Sequence, residues 1–194
     1  MENSFLPDSY EKPAGTGKYY KLQQGDNRFR IVSSAIVGWE DWSEENDNGK
    51  IVRTPIRTKE KPAQLIDPKK PAKHFWAFVI WDYADSSLKI MEVTQSTIQD
   101  AIFNLHSDAN WGDPKNYDLN IKKTGEKMET KYSVMPAPPR PLAPEATKAI
   151  AETKIDLNKL YENGDPFEGE SINNDMPPVI DEQTLDDSIN SVVF

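Results

Sequence analysis

Apolar positions along the chain fall into short runs with a period of two, separated by Pro, Gly and turn residues. Residues 27–39 (NRFRIVSSAIVGW) are rich in Ile, Val, Phe and Trp and too long for one flat strand. The small residues Ser33, Ser34 and Ala35 at its centre predict a bend or bulge. Residues 41–50 are acidic and end in Asp47-Asn48-Gly49, a turn signal, after which 51–56 reads as a returning strand. Residues 74–83 (HFWAFVIWDY) predict a strand with both faces at least partly covered. Asp85-Ser86-Ser87 is a tight turn, and 88–93 (LKIMEV) alternates as a half-buried strand does.

The period then changes. Ser96-Thr97-Ile98-Gln99 matches a capping box, and Ile98, Ala101, Ile102 and Leu105 follow at helical spacing, so 97–106 is a short amphipathic helix. Residues 117–123 and 130–135 return to a period of two around Thr124-Gly125-Glu126, the pattern of a hairpin. Five prolines between 135 and 144 end the domain. Beyond them, 145–161 carries helical spacing again, that of a docked helix. The resulting order is strands, one helix, then a hairpin. It predicts an all-β chain with one or two short helices, arranged as a five-stranded OB-fold barrel. An SH3-like barrel lacks the helix, and a sandwich wants more evenly spaced strands. The expected organisation is a flexible arm over 1–18, a nucleic-acid-binding domain over 19–140, a Pro-rich linker with a short helix over 141–162, and a disordered acidic tail over 163–194.

Charge changes this picture most. The chain of 194 residues has a formal net charge of −9. Residues 1–140 carry 20 basic and 20 acidic side chains, so the whole excess lies in the last 54 positions. From 163 to 194 there are eight acids and no base. Low hydropathy and uncompensated charge there predict disorder, although the end, Val192-Val193-Phe194, is apolar. Residues 50–73 run the other way, with eight bases against Glu60 and Asp67, a net of +6. Whole-chain acidity is therefore no argument against a polyanionic ligand. No apolar run approaches the roughly 20 residues that cross a bilayer, and 1–5 has neither the basic nor the apolar region of a signal peptide. The absence of Cys removes disulfides, thiol catalysis and Cys-ligated zinc.

Catalytic signatures fail on inspection. Gly15-Thr16-Gly17-Lys18 resembles the end of a phosphate-binding loop, but Lys12 and Tyr19 stand where that loop needs Gly and Ser or Thr. His74 and His106 have no metal-ligand spacing, and Asp82, Asp85 and Glu92 have no accompanying base or nucleophile. No catalytic residue, metal ligand or cofactor is assigned.

Cations interleaved with aromatics are what a single-strand nucleic-acid groove requires, the first for phosphates and the second for unstacked bases. The residues in that pattern are Lys18, Tyr19, Tyr20, Lys21, Arg28, Arg30, Arg53, Arg57, Lys59, Lys61, Lys73, Trp76, Trp111 and Lys131. Alternation places Arg28 and Arg30 on one face with Phe29 inward, and splits Phe75 from Trp76. Phe29, Trp39, Phe78 and Trp81 are assigned to the core. The tail, through Asp186, Asp187, Val193 and Phe194, is read as a partner-binding segment that also competes for the cationic groove. An adaptor that binds proteins and not DNA is the alternative.

At these residues the sequence resembles the single-stranded DNA-binding proteins of tailed bacteriophages, which are OB-fold proteins. The likeness rests on 19–32 (YYKLQQGDNRFRIV), on His74-Phe75-Trp76 through Trp81-Asp82-Tyr83 with the Lys89-Ile90 strand and helix after it, and on the acidic tail ending in Phe194. It implies single-stranded DNA binding in a sheet-and-loop groove, with little sequence specificity, during replication, recombination and repair. It also implies that the tail recruits replication or recombination proteins. A cytoplasmic location in a bacterial host follows, with no membrane partner and with room for a homodimer or other self-association. The chain departs from the pattern in lacking the Cys that some members use for zinc. It also ends in Val193-Phe194 after Asp186-Asp187 rather than in Pro-Phe.

Overall fold

A computed structural model of the chain describes residues 17–47 and 50–168. It contains β1 (Gly25–Ile31), β2 (Ile36–Asp47), β3 (Lys50–Thr58), β4 (Lys73–Asp82), β5 (Ser87–Val93), α1 (Ser96–Ser107), β6 (Asp118–Thr124), β7 (Lys131–Pro136) and α2 (Pro144–Glu152). All strand pairs are antiparallel, in the order β3-β2-β4-β1-β6-β7, with β5 on the other edge of β4.

β4 is the hub. Along one edge it pairs β2 through Lys73–Ala77 and β1 through Ile80–Asp82. Between these registers the chain turns at 32–35. There the Ser33 hydroxyl accepts the Val79 amide at 2.8 Å, replacing a ladder bond. The predicted bend at Ser33-Ser34-Ala35 is thus a break into two strands laid end to end.

The expected five-stranded barrel is not what forms. The sheet has seven strands and does not close, because β5 and β7 do not pair among the described residues. The additional strands arise where β2 runs on through the acids 40–47 and pairs β3. Register places Glu40 opposite Arg57 and Glu44 opposite Arg53, so opposite charges face each other along the hairpin. The outer edge of β5 is met instead by 18–20, through bonds from the Tyr20 amide to Ile90 O (2.7 Å) and from the Ile90 amide to Lys18 O (2.8 Å).

Alternation along β4 divides two cores. Phe78 and Ile80 join Phe29, Met91, Ile98, Ile102, Leu119 and Ile121. Phe75, Ala77 and Val79 join Ile90, Ile155, Leu157 and Leu160. Both faces of β4 are covered, as the sequence predicts. The second face lies under 153–167, which is tied down by the Tyr161 hydroxyl donating to Val37 O at 2.7 Å. Lys18 pairs with Asp165 and lies over the Phe167 ring. Gly38 permits this packing, since a Cβ there meets Thr58 O at 2.4 Å and Phe75 Cε1 at 3.0 Å.

α1 matches the predicted helix, but the capping box does not form. Gln95 is the N-cap, without a side-chain cap bond, and Gln99 turns inward to donate to Val93 O (2.8 Å) and His74 O (3.2 Å). Two buried strand-end carbonyls hold that side chain more firmly than an exposed cap can. The 117–135 hairpin forms as β6 and β7.

Candidate nucleic-acid interface

The basic stretch folds into β3 and a loop over 59–72 that returns against β2. Asp41 holds the loop by accepting the Ile66 amide at 2.9 Å, while its other oxygen accepts the Trp42 amide at 2.8 Å. A turn at Asp67 presents Lys69 and Lys70, with the Lys69 amide donating to Asp67 Oδ1 and the Lys70 amide to Asp67 O, both at 2.9 Å.

Between loop and hairpin lies an open cleft of about 510 Å³, lined by Asp41, Trp42, Glu44, Arg53, Lys69, Lys70, Pro71 and Lys73. Trp42 is 39 % exposed. Its indole N–H donates to Glu40 Oε1 at 3.1 Å, which fixes the ring orientation. Arg53 donates to Glu44 at 3.0 Å and Lys70 to the same oxygen at 2.8 Å. The Lys70 hydrogen bond, with the charges of Lys70 and Arg53, holds the Glu44 carboxyl below the ordinary carboxylate range. Asp41 accepts only neutral backbone amides and keeps its charge, so four cations face two carboxylates, Asp41 and Glu44, beside an oriented aromatic ring, and Lys70 also lies 3.7 Å from Asp67. Lys59 and Lys61 do not line the cleft and lie over the rings of Tyr161 (5.5 Å) and Trp39 (5.1 Å).

Two predicted cations are internal. Arg57 is nearly buried between Glu40 (3.1 Å) and Glu92 (2.9 Å). Arg30 is 2 % exposed and donates to Asp118 (2.8 Å), Arg140 O (3.1 Å) and Lys115 O (3.4 Å). Neither guanidinium is presented to an outside phosphate, because a buried charge is retained only with its partners. Arg28 and Arg30 do share one face, as alternation requires, and both reach Asp118.

The remaining predicted residues are dispersed. Tyr20 packs on Phe29 with its ring 5.7 Å away. Burial, with the charges of Asp82 and Asp85, pushes its phenol up to about 12. Lys18 and Tyr19 lie along β5, and Lys21 is exposed near the start of β1. Trp76 lines a separate, mainly apolar cavity of about 270 Å³ with Phe78, Ile102, Phe103, His106 and Lys115. Trp111 stacks edge-on against Tyr117 at 5.3 Å. Lys131 is exposed at the start of β7. Of the predicted set, the cleft brings together only Arg53 and Lys73. Asp186, Asp187, Val193 and Phe194 lie outside the described residues.

Lys69 and Lys70 belong to the cleft without being among the predicted site residues, whereas Trp42, like Tyr19, Tyr20, Trp76 and Trp111, is an aromatic that its neighbours mark as a candidate for stacking. The signal for the two lysines was present in the basic stretch. Comparisons with protein-family models, with curated proteins and with solved structures find no match for this chain. Among the described residues no helix is long and apolar enough to cross a membrane.

Proposed function

We propose that the chain is a non-catalytic single-stranded DNA-binding protein of replication, recombination or repair, and that the Trp42 cleft receives the strand. The observation that carries this reading is the cleft itself, an oriented, exposed indole ringed by Arg53, Lys69, Lys70 and Lys73. Such a pairing of stacking platform and phosphate-tracking cations is what sequence-tolerant single-strand binding needs. Strand connectivity supports an OB-type reading. β1 and β2 act as one bent first strand, β4 and β5 as the second and third, and β6 and β7 as the strands after the helix. The β2–β3 hairpin then enlarges the first inter-strand loop, a ligand-binding loop of that fold. The acidic segment after 163 competes for the cleft and recruits replication partners.

Fluorescence titration with oligo-dT tests the reading, with oligo-rU and duplex as competitors. Binding quenches Trp emission, and log affinity falls against log salt with a slope of about −3 if four phosphates are neutralised. Trp42→Ala weakens binding by roughly 1–3 kcal/mol, the triple variant K69E/K70E/K73E abolishes it, and truncation after 168 tightens it. Affinity for single strands no better than for duplex at moderate salt sinks the proposal. A protein-interaction adaptor is favoured by one observation, the exposed apolar side chains of Val52 and Ile56 on β3 and of Ile66 in the loop after it. It predicts that the triple variant changes no measurable property except charge.

A further inference from the structure

At the other end of β4 from the Trp42 cleft, three guanidinium groups converge on one carboxylate. Asp118 is 1 % exposed and accepts from Arg28 (2.7 and 3.1 Å), Arg30 (2.8 Å), the Tyr83 hydroxyl (2.9 Å) and Arg140. The Arg28 and Arg140 guanidiniums lie 5.0 and 5.5 Å from the Tyr83 ring centroid. Arg30 is consumed internally by its two carbonyl acceptors. Arg28 and Arg140 are not, and their side chains stay 50 % and 46 % exposed. A guanidinium carries five N–H donors. Toward Asp118, Arg28 uses its Nε and one Nη2 donor, and Arg140 a single Nη2 donor. The carboxylate therefore aims two forks and neutralises only one of three charges. The nearby acids Asp82 and Asp85 share one cation, Lys89, so three guanidiniums and Lys89 stand against three carboxylates, a local excess of one positive charge.

We propose that Arg28 and Arg140, oriented by Asp118 and Tyr83, form a phosphate seat that takes a backbone phosphate of the bound strand. Exposed guanidinium forks match phosphate oxygens in geometry as well as charge. The seat rests on the single-strand reading and extends it, because it lies at the far end of a ten-residue strand. At about 3.3 Å per residue the two sites are roughly 30 Å apart. A stacked strand rising about 3.4 Å per nucleotide needs some nine nucleotides to join them.

Length therefore separates the sites. The intact chain and the R28Q/R140Q variant are titrated with dT4 and dT20 across a salt series. Arg30 keeps its Asp118 and carbonyl bonds in that variant, and circular dichroism verifies its fold. The expected result is unchanged dT4 affinity, a loss of about tenfold for dT20, and a dT20 salt slope shallower by about 0.7. Arg140→Lys keeps the charge and retains the slope. A dT20 affinity and slope equal to the wild type overturn the seat while the Trp42 reading stands. In that case the cluster only clamps the Pro-rich segment that carries Arg140, and the variant shows a lowered melting temperature alone. Failure of the wild type to bind either oligonucleotide overturns both.

Discussion

Asp118→Ala removes the carboxylate that Arg30 is buried against, and its cost is set by what remains. Arg30 is 2 % exposed, so its charge cannot be hydrated without opening the junction of β1 and β6. Breaking a buried pair by deleting one partner costs about 3–5 kcal/mol. Arg30 keeps its carbonyl acceptors on Lys115 and Arg140, which places the expected loss toward the lower end. For a chain of this size each kcal/mol moves the melting temperature by about 2–4 °C, so a fall of roughly 6–12 °C is expected. Arg28→Ala removes a half-exposed partner of the same carboxylate and costs no more than about 1 kcal/mol.

The same carboxylate gives stability a pH dependence. Burial opposes its charge, but hydrogen bonds from Arg28, Tyr83 and Arg30 outweigh that and hold its pKa below the ordinary 3.8. A depressed acid contributes stability that is complete above 3.8 and lost as pH falls through the lower folded value. Urea denaturation of the wild type and of Asp118→Asn between pH 7 and 3 reads both effects. The wild type falls more steeply below about pH 4, and the variant, lower at pH 7, falls less. If Asp118→Ala unfolds within 1 kcal/mol of the wild type, or if the two acid profiles run parallel, the buried-pair reasoning is wrong.

Glu92 shares Arg57 with Glu40 and has one buried oxygen without a hydrogen bond. Burial raises its pKa, Arg57 opposes the rise and Glu40 reinforces it. A raised acid loses stability as pH climbs from about 4.5 through the folded value. Glu92→Gln is therefore neutral or slightly stabilising in thermal melts at pH 7, with that advantage vanishing near pH 4.5; a clear loss at pH 7 counts against it. Gly38→Ala drives a Cβ into Thr58 O at 2.4 Å, and since the obstacle is backbone, strands β2 and β3 must part. A cost of about 1–3 kcal/mol follows, and a melting temperature within a degree of the wild type would refute it.

Elements whose signal is local were legible in the sequence. Alternation in 74–83 and 88–93, the small residues at 33–35 and the helical spacing after 96 each state their own structure. The extension of β2 was not legible. Residues 40–47 are acidic and lack strand propensity, and what holds them is cross-strand pairing with Arg57 and Arg53. Those partners lie 17 and 9 positions away and show no period. For the same reason Arg30 and Arg57 looked like free cations, since burial of a charge depends on partners that only the fold assembles. Nothing in the sequence sets Asp118 apart from the other polar residues of the 117–123 strand. Trp42 was half legible. Its polar neighbours marked exposure, but the Glu40 bond that orients the ring depends on hairpin register.

The covered face of β4 and β5 restricts where the proposed function can place a strand. The family resemblance implies a sheet-and-loop groove, and here Phe75, Ala77, Val79 and Ile90 are fully buried under Ile155, Leu157 and Leu160. Each of those three covering side chains contributes about 1.5–3 kcal/mol by its burial. Peeling the segment away thus costs roughly 5–9 kcal/mol, against about 1–3 kcal/mol gained per stacked base. A strand does not recover that cost on one or two bases, so under the proposed function the covered sheet face stays closed and the hairpin and loop are the surface offered to it. The net charge of −9 lies wholly after 140, β3 and the loop hold the +6 stretch, and β2 adds Glu40, Asp41, Glu44, Glu45 and Asp47, so hairpin and loop together are close to neutral at +1. Arg57 withdraws into the interior to secure Glu40 and Glu92, and Arg53, Lys69, Lys70 and Lys73 stay outside around Trp42. Those four cations are the groups that the proposed function assigns to the phosphates.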